Sequence, residues 1–313
     1  MLGREVARRL GPGRAAAVWA DEVVEACAGC DALVVNLECC ISERGAPTRL
    51  IPDKPFFFRS PPAGVEALRA VGITVVGVAN NHALDFGAEA LADTLAHLRS
   101  GGIAAAGAGL DERQARRGVV VTARDLRIGV LAVSDHPAEF AAGADSPGIA
   151  YVDLRRGLPE WVETELESLR RAADLVLAFP HWGPNMTVHP DRWQRRRAAE
   201  LLEAGADAVA GHSAHVFHGI ELLPCGPVLY DLGDALDDYA VDRELRNDLG
   251  ILAIWRPHAR PRLELVGLSL DHCHTRLARG ADAEWIAHRL AHACEELGTA
   301  GERAGEARFV IEG

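Results

Sequence analysis

One phrase is written four times in this chain, and it constrains the fold more than any other feature. A helical, mostly Ala-rich stretch ends in Gly or Ala, an apolar run of strand length follows, and a metal-competent side chain stands at its end. The four instances are Gly29-Cys30-Asp31 to Glu38, Val71-Gly72-Ile73 to Asn81-His82, Ala172-Ala173-Asp174 to His181, and Gly205-Ala206-Asp207 to His212. Their unequal spacing excludes a solenoid. Helices alternating with buried strands predict an α/β fold whose neighbouring βα units deliver ligands to one edge of one sheet. A purely structural protein has no need of Glu, Asn or His at four strand ends.

The second instance is the densest. Ile73 to Val78, bounded by Gly72, reads as a buried strand, and Ala88 to Leu98 is apolar at helical spacing. Between them Asn80, Asn81, His82 and Asp85 crowd the turn that leaves the C-terminal end of the strand. Ligands of open α/β sheets bind in that crevice, because loops rather than packed side chains line it. Capping the next helix would take one Asn or Asp, not four polar groups in six positions.

The rest of the chain follows from the same patterns. Residues 14–28 predict a helix and 31–38 a buried strand ending in Asn36 and Glu38. Residues 42–60 carry Gly45, Pro47, Pro52, Pro55 and three consecutive phenylalanines, which predicts a long ordered loop of the kind that usually serves function. A helix over 61–70, a strand over 103–106 and a hairpin over 119–122 and 128–134 come next. Residues 135–150 are a loop with Asp135, His136 and Pro137. Helices over 161–172 and 191–203 alternate with strands over 174–179 and 206–210. Beyond 216 the texture changes, with strands over 216–223, 227–232, 249–255 and 263–270 and no helices between them, so antiparallel pairing is expected. A helix over 282–297 and a polar tail close the chain.

Composition excludes several classes. A net charge of −12 leaves no broad basic surface for nucleic acid. No apolar run approaches the roughly 20 residues that span a bilayer, and Met1 to Val6 holds no apolar signal core, so a cytoplasmic location is expected. The seven cysteines include Cys27 and Cys30 as a CxxC, followed by Cys39-Cys40. These pairs stand on different elements, whereas zinc sites hold each pair in a tight turn, so reduced buried thiols are expected instead. The His272-Cys273-His274 run reads as structural.

Carboxylate, amide oxygen and imidazole together suit Mn²⁺, Fe²⁺ or Zn²⁺, one or two ions per chain. A dinuclear hydrolytic site holds its ions about 3.5–4 Å apart around a bridging hydroxide. Glu38, with two oxygens, is the candidate bridge. His212 and His215 flank two small residues after Gly211, a turn that can aim both rings into one cavity. His82 is the candidate general acid, since imidazole titrates near neutrality. Asp85 either orients His82 or caps the helix that follows. Asn36, Asn80, Trp182 and His218 are expected to face the substrate.

Asn36-Leu37-Glu38, Ala79-Asn80-Asn81-His82 to Asp85-Phe86-Gly87, His181-Trp182-Gly183, Gly211-His212 to His215-Val216 and Tyr230-Asp231-Leu232-Gly233 resemble the CapA family of poly-γ-glutamate capsule synthesis proteins. That family is related to the calcineurin-like metallophosphoesterases. The resemblance runs over about residues 1–240 in the right order. It implies a four-layer α/β/β/α sandwich of the metallophosphoesterase type with metals at the strand ends. By that resemblance Glu38 bridges the metals, Asn81, His181 and His212 hold one ion, and His215 holds the other. The chain departs from the family at Pro184-Asn185, Ser213-Ala214 and Gly233-Asp234.

The expectation is therefore a metal-dependent hydrolase acting on a phosphoester or a γ-glutamyl amide bond through a metal-activated hydroxide. The alternative is a non-catalytic or impaired accessory protein of capsule-like polymer synthesis. Residues 1–313 are expected as one domain, with 241–313 supplying strands and a helix that complete the sandwich. The expected partner is a small-molecule or peptide-like substrate, with a homodimer as the candidate assembly. Met1-Leu2-Gly3 matches the end of the family's Gly-Asp-x-Met-Leu-Gly pattern. The resemblance thus puts the first strand, and an Asp ligand of the ion that His215 holds, upstream of residue 1.

Overall fold

Short apolar strands joined by amphipathic helices bury both sheet faces only by stacking in layers. The computed structural model describes residues 1–11, 13, 15–257 and 262–312. In chain order, α1 (Arg4–Arg9), a 3-10 turn (Ala15–Val18) and α2 (Asp21–Ala28) lead to β1 (Val34–Asn36), β2 (Cys40–Ile41) and β3 (Arg59–Ser60). Next come α3 (Gly64–Ala70), β4 (Val75–Gly77), α4 (Gly87–Ser100), β5 (Ala104–Ala106), β6 (Ala108–Gly109) and α5 (Glu112–Arg116). The hairpin of β7 (Val119–Ala123) and β8 (Leu126–Ser134) precedes β9 (Gly148–Ile149), α6 (Glu160–Ala172), β10 (Leu175–His181), α7 (Arg192–Glu203) and β11 (Ala208–Ala210). Then follow β12 (Ile220–Leu223), β13 (Gly226–Leu229), β14 (Leu249–Arg256), β15 (Arg262–Asp271) and β16 (His274–Leu277). Helix α8 (Gly280–Glu296), β17 (Glu302–Arg303) and β18 (Arg308–Glu312) complete the described chain.

Strands β1, β4 and β5 form a parallel sheet in the order β1-β4-β5. A second sheet runs β12-β13-β11-β10-β8-β7, parallel through its middle four strands and antiparallel at both edges. The two sheets meet face to face. At Gly77 a Cβ would lie 2.7 Å from the Phe179 ring of β10, so only glycine lets the sheets approach this closely. Val75, Ala106, Val130, Ala132 and Phe179 share the core between them, and Val76, on the other face of β4, joins the same cluster with Leu68 of α3 and Leu91 and Leu98 of α4. On the far side of the larger sheet, Val162, Leu166 and Leu169 of α6 and Ala198, Leu201 and Leu202 of α7 pack on Leu131, Val176, Ala178 and Val209. The order helix, sheet, sheet, helix is the expected four-layer α/β/β/α arrangement.

A third, antiparallel sheet, β14-β15-β18-β17 with β16 on β15, is covered by α8 through Ile286 and Leu290 and by α2 through Val23 and Cys27. Several expectations are corrected here. The helix expected over 14–28 is a 3-10 turn and a separate α2, because Trp19 leaves the helical path to bridge Thr275; residue 14 lies outside the described residues. The polar tail contains β18, whose Phe309, Val310 and Ile311 complete the third sheet beside β15. The strand expected from 216 begins only at Ile220.

Candidate functional site

Parallel strands end together, so the residues just past their C-termini converge by construction. Glu38 lies two residues beyond β1, Asn81 four beyond β4, His181 is the last residue of β10, and His212 lies two beyond β11. His181 and His212 form a parallel bridge that extends the β10–β11 pairing. Side chains alternate along β10, with Phe179 facing the inter-sheet core and Ala178 facing the helices. His181 shares the Phe179 face and so points between the sheets.

The convergence is close. Glu38 Oε1 lies 3.9 Å from His181 Nε2 and 4.0 Å from His82 Nε2. His181 and His212 meet through their Nδ1 atoms at 2.8 Å. His215 turns its Nδ1 to the Asp234 carboxylate at 3.1 Å. Among the described residues, no three His, Cys, Asp or Glu side chains are placed so that they alone enclose an ion. Nevertheless Glu38 Oε1, Asn81 Oδ1, His181 Nε2 and His212 Nε2 are all buried without any hydrogen-bond partner. Buried polar atoms are almost always satisfied, so orphaned donors on residues at these neighbouring strand ends fit an ion-binding role. A cation held by carboxylate, amide oxygen and imidazole fits this donor chemistry; the Nδ1–Nδ1 hydrogen bond leaves one of the two Nε2 atoms protonated, so that bond would open if both rings were to ligate.

Electrostatics favour the neutral form at His181 and His212 and the charged form at His215. Burial, then the neighbouring His136, pushes His181 well below the usual imidazole range, and burial lowers His212 to about 3. Both rings are thus neutral. Burial also acts on His215, but the carboxylates of Asp234 and then Glu38 outweigh it and raise it to about 10.

Beside the cluster stands a second constellation. His82 Nδ1 donates to Asp85 Oδ2 at 2.7 Å, leaving Nε2 toward Glu38. Asp85 is completely buried and its carboxylate does not cap α4, where no side-chain cap bond is made. Of the two roles open from the sequence, orienting His82 is the one the geometry favours. The Phe58 ring stacks on His82 at 4.0 Å and the Phe58 N–H donates to Asp85 at 2.6 Å, so the 42–60 loop packs on this pair.

The four residues expected to face substrate sit elsewhere. Asn80 is fully buried; its amide donates to Asn36 Oδ1 and the Leu37 carbonyl, both at 2.9 Å, and its Oδ1 accepts the His82 N–H. Asn36 in turn donates to Glu38 at 3.5 Å, so both asparagines brace Glu38 and His82 from behind. Trp182, one residue past His181, falls on the opposite face, packs under α7 and donates to the Tyr230 carbonyl at 3.0 Å. His218 is enclosed and donates to the Thr187 carbonyl at 3.0 Å. Strand alternation sets Trp182 opposite His181, against the expectation that it faces substrate, while the enclosure of Asn80 and His218 depends on packing.

Sequence reasoning passed over other members. His136, just past β8, sets its ring 4.9 Å from that of His181 and pairs with Asp135, whose carboxylate accepts the Gly183 N–H at 3.1 Å. Its signal was available, since it too stands at a parallel strand end. Lys54 reaches in from the 42–60 loop to the Asn81 carbonyl at 2.9 Å and to Asp85 Oδ1 at 3.3 Å. All seven cysteines are free thiols, and burial raises Cys27, in the CxxC, to about 11, so no thiolate joins the site.

Fold and site define an α/β/β/α protein that gathers hard and borderline metal donors at the C-terminal ends of facing sheets. The chain belongs to the bacterial capsule synthesis protein PGA_cap family, whose model matches residues 1–239. It is 32% identical over 282 residues to a Mycobacterium tuberculosis protein named "Probable polyglutamine synthesis accessory protein", covering 86% of this chain and 73% of that one. It is 29% identical over 188 residues to the PGA biosynthesis protein CapA of Bacillus subtilis, covering 59% and 48% of the two chains. Among solved structures, a hypothetical protein from Thermus thermophilus superposes with a TM-score of 0.42 at 15% identity, over 81% of this chain and 88% of that one.

Proposed function

We propose that this member of the capsule synthesis family is a metal-dependent hydrolase of a phosphoester or a γ-glutamyl amide bond. The observation that carries the reading is the set of four buried, unpartnered donor atoms on Glu38, Asn81, His181 and His212. These residues would hold one divalent ion; His215 would join Glu38 at a second only by giving up the proton that Asp234 and Glu38 stabilise. A bound ion would supply Lewis acidity and a water molecule acidic enough to ionise near neutral pH. The chain's own residues do the rest. Asp85 holds the His82 ring by its Nδ1, so that Nε2 is the atom that delivers a proton to a leaving group on the Glu38 side. Burial keeps His181 and His212 unprotonated, and the braces from Asn36 and Asn80 fix Glu38 before substrate arrives.

The test begins with elemental analysis of protein purified without chelators, followed by turnover of bis(p-nitrophenyl) phosphate and γ-glutamyl-p-nitroanilide. His82→Asn should leave metal content unchanged and lower turnover by about 10²- to 10⁴-fold, the usual range for a general acid. Loss of metal in that variant would make His82 a ligand instead. The names of the relatives support a second reading, an accessory protein of polymer synthesis without turnover. Stoichiometric metal with no hydrolysis of either probe would favour it.

A further inference from the structure

Lys54 is the only lysine among the 33 Lys and Arg residues of this chain. Everywhere else a basic group is an arginine, most of them exposed; here alone an ammonium is used, and its side chain is 8% exposed. The neighbouring Asp53, Pro55 and Phe56 are exposed, so the loop runs along the surface while this one side chain reaches inward. Its Nζ finds the Asn81 carbonyl at 2.9 Å, Asp85 Oδ1 at 3.3 Å and the Phe140 ring at 6.0 Å. Three partners on two segments, the turn between β4 and α4 and the 3-10 turn at Phe140, suit a compact charge with tetrahedral donors, whereas a planar guanidinium fork needs coplanar acceptors and more room.

Asp85 explains why the ammonium is needed. Its Oδ2 already accepts from the Phe58 N–H at 2.6 Å and from His82 at 2.7 Å. Among the described residues its buried Oδ1 has no hydrogen-bond partner, and the cation beside it is Lys54. Without Lys54 that oxygen carries uncompensated charge out of contact with water, and the carboxylate is free to turn toward other donors. The same ammonium ties down the Asn81 peptide, which carries a candidate metal donor on its side chain.

We propose that Lys54 is a positioning residue that locks the Asp85 carboxylate, and through it the His82 ring, into a single orientation beside Asn81. Its effect on turnover rests on the reading of His82 as the proton donor; its effect on ring orientation does not. Because there is one lysine, amine chemistry reports on it without ambiguity once peptide mapping separates it from the α-amine.

The experiment uses the full chain in three forms: parent, Lys54→Met, which keeps the stem and loses the charge, and Lys54→Arg, which keeps the charge and changes its shape. Long-range ¹H–¹⁵N spectra of ¹⁵N-histidine-labelled protein, with His82 assigned by difference against His82→Asn, give its tautomer. The parent should show Nδ1 fully protonated, with the exchanging proton confined to Nε2, and both variants should show that exchange shared between the two nitrogens. Turnover of bis(p-nitrophenyl) phosphate should fall about 10- to 100-fold in kcat with KM unchanged, the size of effect expected of sub-ångström misplacement. Acetic anhydride should label Lys54 in the folded parent far more slowly than in the urea-unfolded chain. An unchanged His82 spectrum in both variants, or equal labelling of Lys54 folded and unfolded, would overturn the proposal. Should the parent turn over no probe, the hydrolase reading fails, and the histidine spectra and the labelling still decide the role of Lys54.

Discussion

At His218 the imidazole is 2% exposed, donates through Nε2 to the Thr187 carbonyl, and keeps a buried, unpartnered Nδ1. Burial lowers it to about 4, although the Thr187 carbonyl pulls the other way. The unfolded chain carries this ring near its ordinary value of about 6.5. Above that pH the ring is neutral in both states and its contribution to stability is complete. Between pH 6.5 and 4 the unfolded chain takes up a proton that the folded chain refuses, so stability falls as pH falls, by about 3 kcal/mol over the window. Urea unfolding at pH 7, 5.5 and 4 should therefore show a shallower loss in His218→Gln than in the parent. Parallel curves would mean that His218 takes up its proton without unfolding. His215 is the opposite case, an imidazole held charged by the carboxylates around it. The two differ by three positions in sequence and by their neighbours in space.

The turn after β11 shows what one element must do to present two imidazoles. Ser213 and His215 both take positive φ, +130° and +60°, which side chains rarely adopt and which costs about 1–3 kcal/mol each when it persists. The strain is held in place. Ser213 Oγ donates to the Gly183 carbonyl at 3.1 Å and the Ala214 N–H donates to Asp231 at 2.7 Å. Gly211 opens the turn where a Cβ would stand 2.2 Å from Trp182 Nε1 and 2.5 Å from the Tyr230 carbonyl. Gly211→Ala should cost about 1–3 kcal/mol in urea unfolding, the usual penalty of overpacking, because the obstruction includes backbone. It should also move His212, visible as weakened metal binding. A variant as stable as the parent, with metal binding intact, would show that Trp182 and the strand behind it yield easily.

Across the whole molecule, acidic groups outnumber basic ones and several are buried near the site. Glu38, Asp85, Asp231, Asp237 and Asp238 are all buried. Burial, then the neighbouring Asp234, raises Asp237 above the usual carboxylate range. A divalent cation bound only by the folded chain offsets that imbalance and stabilises by mass action, about 2.7 kcal/mol at a hundredfold excess over Kd. Mn²⁺ or Zn²⁺ should therefore raise the Tm of chelator-treated protein by several degrees, and EDTA should reverse it. No shift with any divalent ion would remove the main physical reason for the four unpartnered donors.

Local pattern determined a good deal of this protein. Apolar runs of strand length between Ala-rich helices specify parallel βα units, and parallel strands end on one edge, so the meeting of Glu38 with His181 and of His181 with His212 was legible from residue order. The period of two along a strand even separates His181 from Trp182. What the sequence could not determine depends on contacts between segments far apart. Only the docking of the 42–60 loop brings Lys54 and Phe58 onto His82 and Asp85, and only the pairing of β1 with β4 sets Asn80 against Asn36 and turns both from pocket residues into braces. The split of the first long helix and the strand in the polar tail likewise follow from partners in the third sheet. Periodicity reads which face of its own element a side chain takes; tertiary packing alone decides what that face meets.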